Sequence, residues 1–116
     1  MSEKKYLALL LAAAMLSAQA KAADETAARA EAVALDLAET HHCFTCHAID
    51  RKITGPAWKD VAAKYRGEAG AEDKLVKKVS NGGTGVWGNE MAMPAFAPHV
   101  KEADIRTLVR YVLSLK

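Results

Sequence analysis

Cys43-Phe44-Thr45-Cys46-His47 brings two thiols and an imidazole together in one short run. The pattern is C-x-x-C-H, the attachment sequence of a c-type haem. Two intervening residues bring both sulfurs to one edge of a porphyrin, where they add across its vinyl groups. The adjacent His47 then lies under the iron as proximal ligand. Other readings of the spacing fit less well. A thioredoxin-like redox pair needs a βαβ setting, and nothing in this chain reads as strand. A zinc site usually has a second cysteine pair, and the chain has 2 cysteines; Cys43, Cys46 and His47 with one more His remain a conceivable metal set. A disulfide between Cys43 and Cys46 would close a very short, strained loop.

An iron held by His47 needs a second axial ligand from far along the chain. The candidates are Met91, Met93, His41, His42 and His99. A lone Met is usually core filler, but here two share a loop and Pro94 follows one of them. Pro94 fixes the backbone beside Met93 and favours that residue. His41 and His42 precede the motif too closely to reach the opposite face of a ring. His99 is the best alternative should a Met–iron bond fail. His/Met ligation gives a comparatively high potential. It also fills both axial positions, which favours electron transfer over catalysis at the metal. His47 needs an acceptor for its second ring nitrogen, and the Pro56 carbonyl suits by order along the chain. The Trp87 indole N–H could hold a haem propionate or simply pack in the core.

The elements that must position these residues read as helices. The alanine-rich stretch 24–40 has Ala30, Val33, Ala34 and Leu37 on one stripe, with Asp24 or Thr26 to cap its start. Gly55-Pro56 opens a short helix with Trp58, Val61, Ala62 and Tyr65 inward, ended by Gly67. A third helix is predicted over 71–80, with Leu75, Val76 and Val79 inward. The last covers 101–116, with Ile105, Leu108, Val109, Val112 and Leu113 as its apolar stripe. Asn81-Gly82-Gly83-Thr84-Gly85 has no phosphate-binding pattern. Its glycines suit a backbone passing close to something bulky. A long irregular loop follows to Pro98, and in a small domain such a loop is usually functional.

Lys4-Lys5, the apolar run Leu7 to Leu16 and Ala20-Lys21-Ala22 form a secretory signal pattern, with Ala18-Gln19-Ala20 as a second cleavage site. The apolar run is too short to span a membrane; an uncleaved anchor is the alternative. Residues 1–22 are thus expected to be removed, leaving one domain over 23–116. Their loss takes Lys4, Lys5, Lys21 and Glu3 from 16 basic and 14 acidic residues, leaving 13 of each. A nucleic-acid-binding role has no electrostatic footprint in that neutral remainder. The charges left alternate in sign along the helices, the pattern of a solvated surface.

The ordered runs C-F-T-C-H-A-I-D, T-G-P-A-W-K-D-V-A-A-K-Y, N-G-G-T-G-V-W-G, M-P and Y-V-L-S-L-K resemble the small bacterial class I cytochromes c of the c-551/c-552 type. The resemblance covers nearly all of residues 33–116. It implies an all-α fold, about four helices wrapped around one covalent haem c, with the N- and C-terminal helices crossing. It implies Met93 as axial ligand, Pro56 as the acceptor for His47, and Trp87 against a propionate. It also implies a periplasmic one-electron carrier without substrate chemistry of its own, expected to be monomeric. Its expected partners are a quinol-oxidising complex upstream and a terminal oxidase or nitrite reductase downstream, docking transiently at the haem edge near Cys43, Ile53 and the 91–95 loop. Lys52, Lys59 and Lys64 either steer such a partner or are solvated helix lysines. Departures from the family pattern are a longer loop carrying Met91, Phe96 where an Asn is common, His42 where a Gly is common, and the polar Lys52, Asn89 and Glu90 near the expected haem edge.

Overall fold

The computed structural model describes residues 2–88 and 91–116. Among these residues are four α-helices: α1 (Ser2–Thr40), α2 (Trp58–Tyr65), α3 (Ala71–Asn81) and α4 (Glu102–Ser114). A 3-10 turn spans Cys43–Thr45. Among the described residues there is no strand, only an isolated antiparallel bridge between Gly83 and Met93. The chain divides into two units, Met1–Ala32 and Val33–Lys116.

The described residues of the first unit are all helical and all exposed. Long and apolar enough to cross a membrane by length and composition alone, α1 has a property that signal sequences share. The expected helix start at Asp24 or Thr26 is not observed. Thr26 lies inside α1, and its Oγ1 donates to the Ala22 carbonyl at 2.8 Å. The alanine-rich run through this region has strong helix propensity and no Gly or Pro to interrupt it, so no helix start falls at these residues.

The second unit has the core. The last turns of α1 bury Ala34 and Ala38 at 0% exposure, whereas Val33 is 49% exposed. The inner stripe is therefore rotated from the expected one. The small alanines are the residues turned inward, and small side chains allow helices to approach closely. α2 buries Trp58, Val61, Ala62 and Tyr65, as its spacing predicts. It ends one residue before expectation: Arg66 is already extended, and Gly67 follows with φ 77°. Gly70, at φ 76°, precedes α3, whose first turn carries Glu72 and Asp73 where carboxylates suit the helix dipole. α3 turns Leu75 and Val76 inward and leaves Val79 half-buried. α4 buries Ile105, Leu108, Val109 and Val112 and packs on both α2 and α3. Ile105 is wholly buried, a burial worth ~1.5–3 kcal/mol. Ala38 shares this cluster with the buried residues of α2, α3 and α4.

One ion-pair network was not expected from a solvated charge pattern. Arg106 Nη1 donates to Glu72 and Asp73, each at 2.8 Å, and its Nη2 to Glu102 at 3.0 Å. Arg110 Nε also reaches Glu72, at 3.0 Å. The network joins the start of α3 to α4. These carboxylates raise the Arg106 pKa, chiefly by accepting its hydrogen bonds at Asp73 and Glu72.

Candidate haem-binding site

The C-x-x-C-H run is bent by a tight local fold. His42 enters it with φ 59° and ψ 29°, a left-handed backbone. Such a conformation is costly for a residue with a Cβ. Cys46 and His47 then donate their amides to the Cys43 carbonyl at 3.2 and 3.0 Å, so both cysteines and the histidine fall on one turn. Cys43 and Cys46 are half-buried and not disulfide-bonded. Burial pushes the Cys43 thiol above its ordinary range, against a backbone hydrogen bond that lowers it.

The segment 48–59 folds back on this turn. Gly55 N–H donates to Cys46 O at 2.6 Å, Trp58 N–H to Ala48 O at 2.9 Å and Lys59 N–H to Ile49 O at 2.9 Å. The fold-back puts the Pro56 carbonyl 2.8 Å from His47 Nδ1. The carbonyl can only accept, so Nδ1 carries the proton and Nε2 keeps its lone pair for a metal. The imidazole lies against Gly55: a Cβ there would be 2.6 Å from His47 Cε1. Trp58 closes the other side of the assembly. Its ring centroid is 5.0 Å from Phe44, 6.1 Å from His47 and 6.1 Å from Tyr111, the last edge-on. Through Trp58 the motif is tied to α4.

Met93 belongs to a different part of the structure. Its backbone pairs with Gly83: Met93 N–H donates to Gly83 O at 3.0 Å, and Gly83 N–H to Met93 O at 2.9 Å. Farther on, Phe96 N–H donates to Val79 O at 3.2 Å and Ala97 N–H to Ser80 O at 3.1 Å. The Met93 segment is thus fastened to the end of α3. Met93 is half-buried, whereas Met91 is 77% exposed. Phe96 packs half-buried against the core. His99 is exposed, as is His42; His41 is half-buried. Asn89 and Glu90, expected near the haem edge, lie outside the described residues.

Trp87 is half-buried against the core, with Lys64 Nζ 5.5 Å from its ring centroid. This is a cation–π arrangement. Lys64 is thus engaged with an aromatic face. Ile53, Val86 and Met91 are exposed apolar residues of the loops. An open depression of about 490 Å³ lies beside the histidine, lined by Phe44, His47, Ile49, Ile53 and Lys59 among others. A larger one, of about 590 Å³, lies between Tyr65, Gly70, Arg106 and Leu113 and contains none of the cysteines, His47 or Met93. The chemistry therefore attaches to the smaller one.

The donor set fits a covalent haem: two unpaired thiols on one turn and an imidazole with its outer nitrogen fixed. The comparisons with known proteins agree. The family model for cytochrome c matches residues 16–116, and the chain belongs to that family. Within it, the chain is similar to the small bacterial class I proteins. It is 53% identical to cytochrome c-551 of Allochromatium vinosum over 81 residues, covering 70% of this chain and 84% of that protein. It is 51% identical to cytochrome c-551 of Pseudomonas aeruginosa over 74 residues, covering 64% and 68% of the two chains. Its fold matches the crystal structure of Nitrosomonas europaea cytochrome c552 with a TM-score of 0.66 at 40% identity, covering 71% of this chain and 99% of that one. The protein is an electron-carrier cytochrome c with covalent haem c and the class I helical fold.

Two features of the site were missed by sequence reasoning. One is the role of Trp58 as a wall shared by His47, Phe44 and Tyr111, for which its inward helical position was the only signal. The other is the object that Gly82 approaches. The glycine run suggested something bulky; that object is the chain's own Met93-Pro94 backbone.

Proposed function

We propose that the chain is a periplasmic one-electron shuttle with no substrate chemistry of its own, exported by residues 1–22, which are then removed. Cys43 and Cys46 carry the haem through thioethers, and His47 and Met93 ligate its iron. The observation that carries the reading is the 2.8 Å contact of His47 Nδ1 with the Pro56 carbonyl. It leaves Nε2 as a ligand of fixed direction. The haem supplies the redox change; the chain holds the imidazole, sets the second ligand and limits solvent. Trp87 is assigned to a propionate, through the indole N–H that a half-buried Trp must satisfy. A monomer suffices for this work. Partners are larger redox proteins, a quinol-oxidising complex on one side and a terminal oxidase or nitrite reductase on the other. Contacts with them are small and transient, as in other redox encounters.

Absorption spectra of the mature protein and of Met93→Ala test the reading. The expected result for the unsubstituted protein is sharp ferrous α and β bands with a weak far-red sulfur-to-ferric-iron band. In Met93→Ala the far-red band should vanish and the ferric iron should take up cyanide or imidazole readily. A high-spin ferric spectrum in the unsubstituted protein would replace the carrier reading with an open-iron protein. An unchanged far-red band in Met93→Ala would remove Met93 as ligand.

A further inference from the structure

Two methionines, Met91 and Met93, stand two residues apart in the same loop. In extended chain, side chains two apart face the same way. A slip of two residues would therefore present Met91 where Met93 now stands, with no change of face. Something must fix the register, and in the loop sequence only Pro94, directly after Met93, distinguishes the two positions.

We propose that Gly82 and Gly83 are positioning residues that select Met93 over Met91 as the axial ligand. The inference rests on the Met93 assignment made above. Its support is the reciprocal pair of backbone hydrogen bonds between Gly83 and Met93, at 2.9 and 3.0 Å. Gly82 adds a second constraint. It caps α3 with φ 67° and ψ −159°, its amide bonded to Lys78 O at 2.7 Å. This is a region that residues with a Cβ rarely adopt. A Cβ on Gly82 would also collide with the Met93 carbonyl oxygen and crowd the Pro94 carbonyl carbon and the Ala95 amide, 2.7 and 2.8 Å away. The loop backbone can lie this close to the helix end only because Gly82 has no side chain. Two more bonds peg the register downstream, Phe96 to Val79 and Ala97 to Ser80. The clamp is therefore made of backbone, and it reads position along the chain rather than the identity of the sulfur.

The test is Gly82→Ala in the full holoprotein, alone and with Met91→Leu, beside Met93→Ala and Met91→Leu alone. In Gly82→Ala the far-red band is expected to fall and the reduction potential with it, and Met91→Leu should remove whatever band is left. Met91→Leu alone should change neither. A wild-type band and potential in Gly82→Ala, with the band lost in Met93→Ala, would overturn the clamp while leaving the ligand standing. An intact band in Met93→Ala would overturn the ligand assignment, and the clamp with it. Amide exchange on the unsubstituted holoprotein gives a readout independent of whether Gly82→Ala folds. Met93 N–H should exchange slowly; exchange at the rate of unstructured chain would overturn the clamp.

Discussion

The two candidate ligands of the iron are held in opposite ways. His47 is fixed through its side chain: Pro56 takes its Nδ1 proton, Gly55 lies against its ring, and Trp58 stands on a third side. Met93 is held through its backbone, by pairing with Gly83. The difference follows from the chemistry. An imidazole has a second nitrogen, so its direction and tautomer can be set from behind. A thioether has one weak acceptor and free rotors, so the only handle on it is the main chain. The histidine side should therefore be sensitive to side-chain volume, and the methionine side to backbone register.

The largest effect on the histidine side should come from Gly55→Ala. The new Cβ would be 2.6 Å from His47 Cε1. Either the ring turns or the 48–59 fold-back shifts, and both pull Nδ1 away from Pro56. Overpacking of this kind costs ~1–3 kcal/mol. Denaturant unfolding of the holoprotein measures the stability loss, and paramagnetic shifts of the His47 ring protons report its reorientation. A stable Gly55→Ala variant with unshifted ring signals would mean that the backbone, not the glycine, sets the imidazole.

The side-chain-held half was also the more legible in the sequence. C-x-x-C-H names its own chemistry, and order along the chain suggested the Pro56 carbonyl, which lies 2.8 Å from His47 Nδ1. The inward faces of α2 and α4 were readable because their apolar periodicity is strong. The backbone-held half was not legible in the same way. A bridge such as Gly83 with Met93 joins residues far apart in sequence through groups that every residue has, so no residue type marks it. The helix stripe of α1 was read only in part, with Ala34 and Leu37 inward but Val33 exposed, for a related reason. Alanine is neutral in periodicity, and which alanines turn inward depends on the partner's surface. The cluster of Arg106 and Arg110 with Glu72, Asp73 and Glu102 lies between two elements, and a charge pattern along a single helix cannot reveal it.

A smaller change of opposite sign is expected at the entrance to the motif. His42 holds φ 59° with an exposed side chain. His42→Gly removes the Cβ that makes a left-handed backbone costly, although glycine gains freedom in the unfolded chain. The balance should be a stabilisation of about 0.5–1 kcal/mol, read as a higher unfolding midpoint with an unchanged spectrum. Destabilisation would show that the imidazole at position 42 makes a contribution its exposure does not suggest.

The smallest effect concerns the link between α3, whose far end bears the methionine clamp, and α4. Hydrogen bonds from Arg110 and Arg106 hold the Glu72 carboxyl below its usual range. A carboxylate whose folded pKa is depressed contributes stability above its unfolded pKa, about 4.3 for a Glu. The contribution is lost as pH falls through the lower, folded value. Exposed ion pairs are individually weak, and salt screens them. Glu72→Gln should therefore lower the unfolding midpoint slightly at pH 7 and low ionic strength, and make no difference once the pH is below the folded pKa. The comparison of the two ligand sides adds a sharper expectation. Because α3 anchors the Met93 segment and not the His47 segment, acidification should weaken the far-red band before it disturbs the His47 ring signals, and Glu72→Gln should shift the onset of that weakening. Simultaneous loss of both signals in both proteins would mean that the two halves unfold as one unit and that the network at Glu72 supports neither in particular.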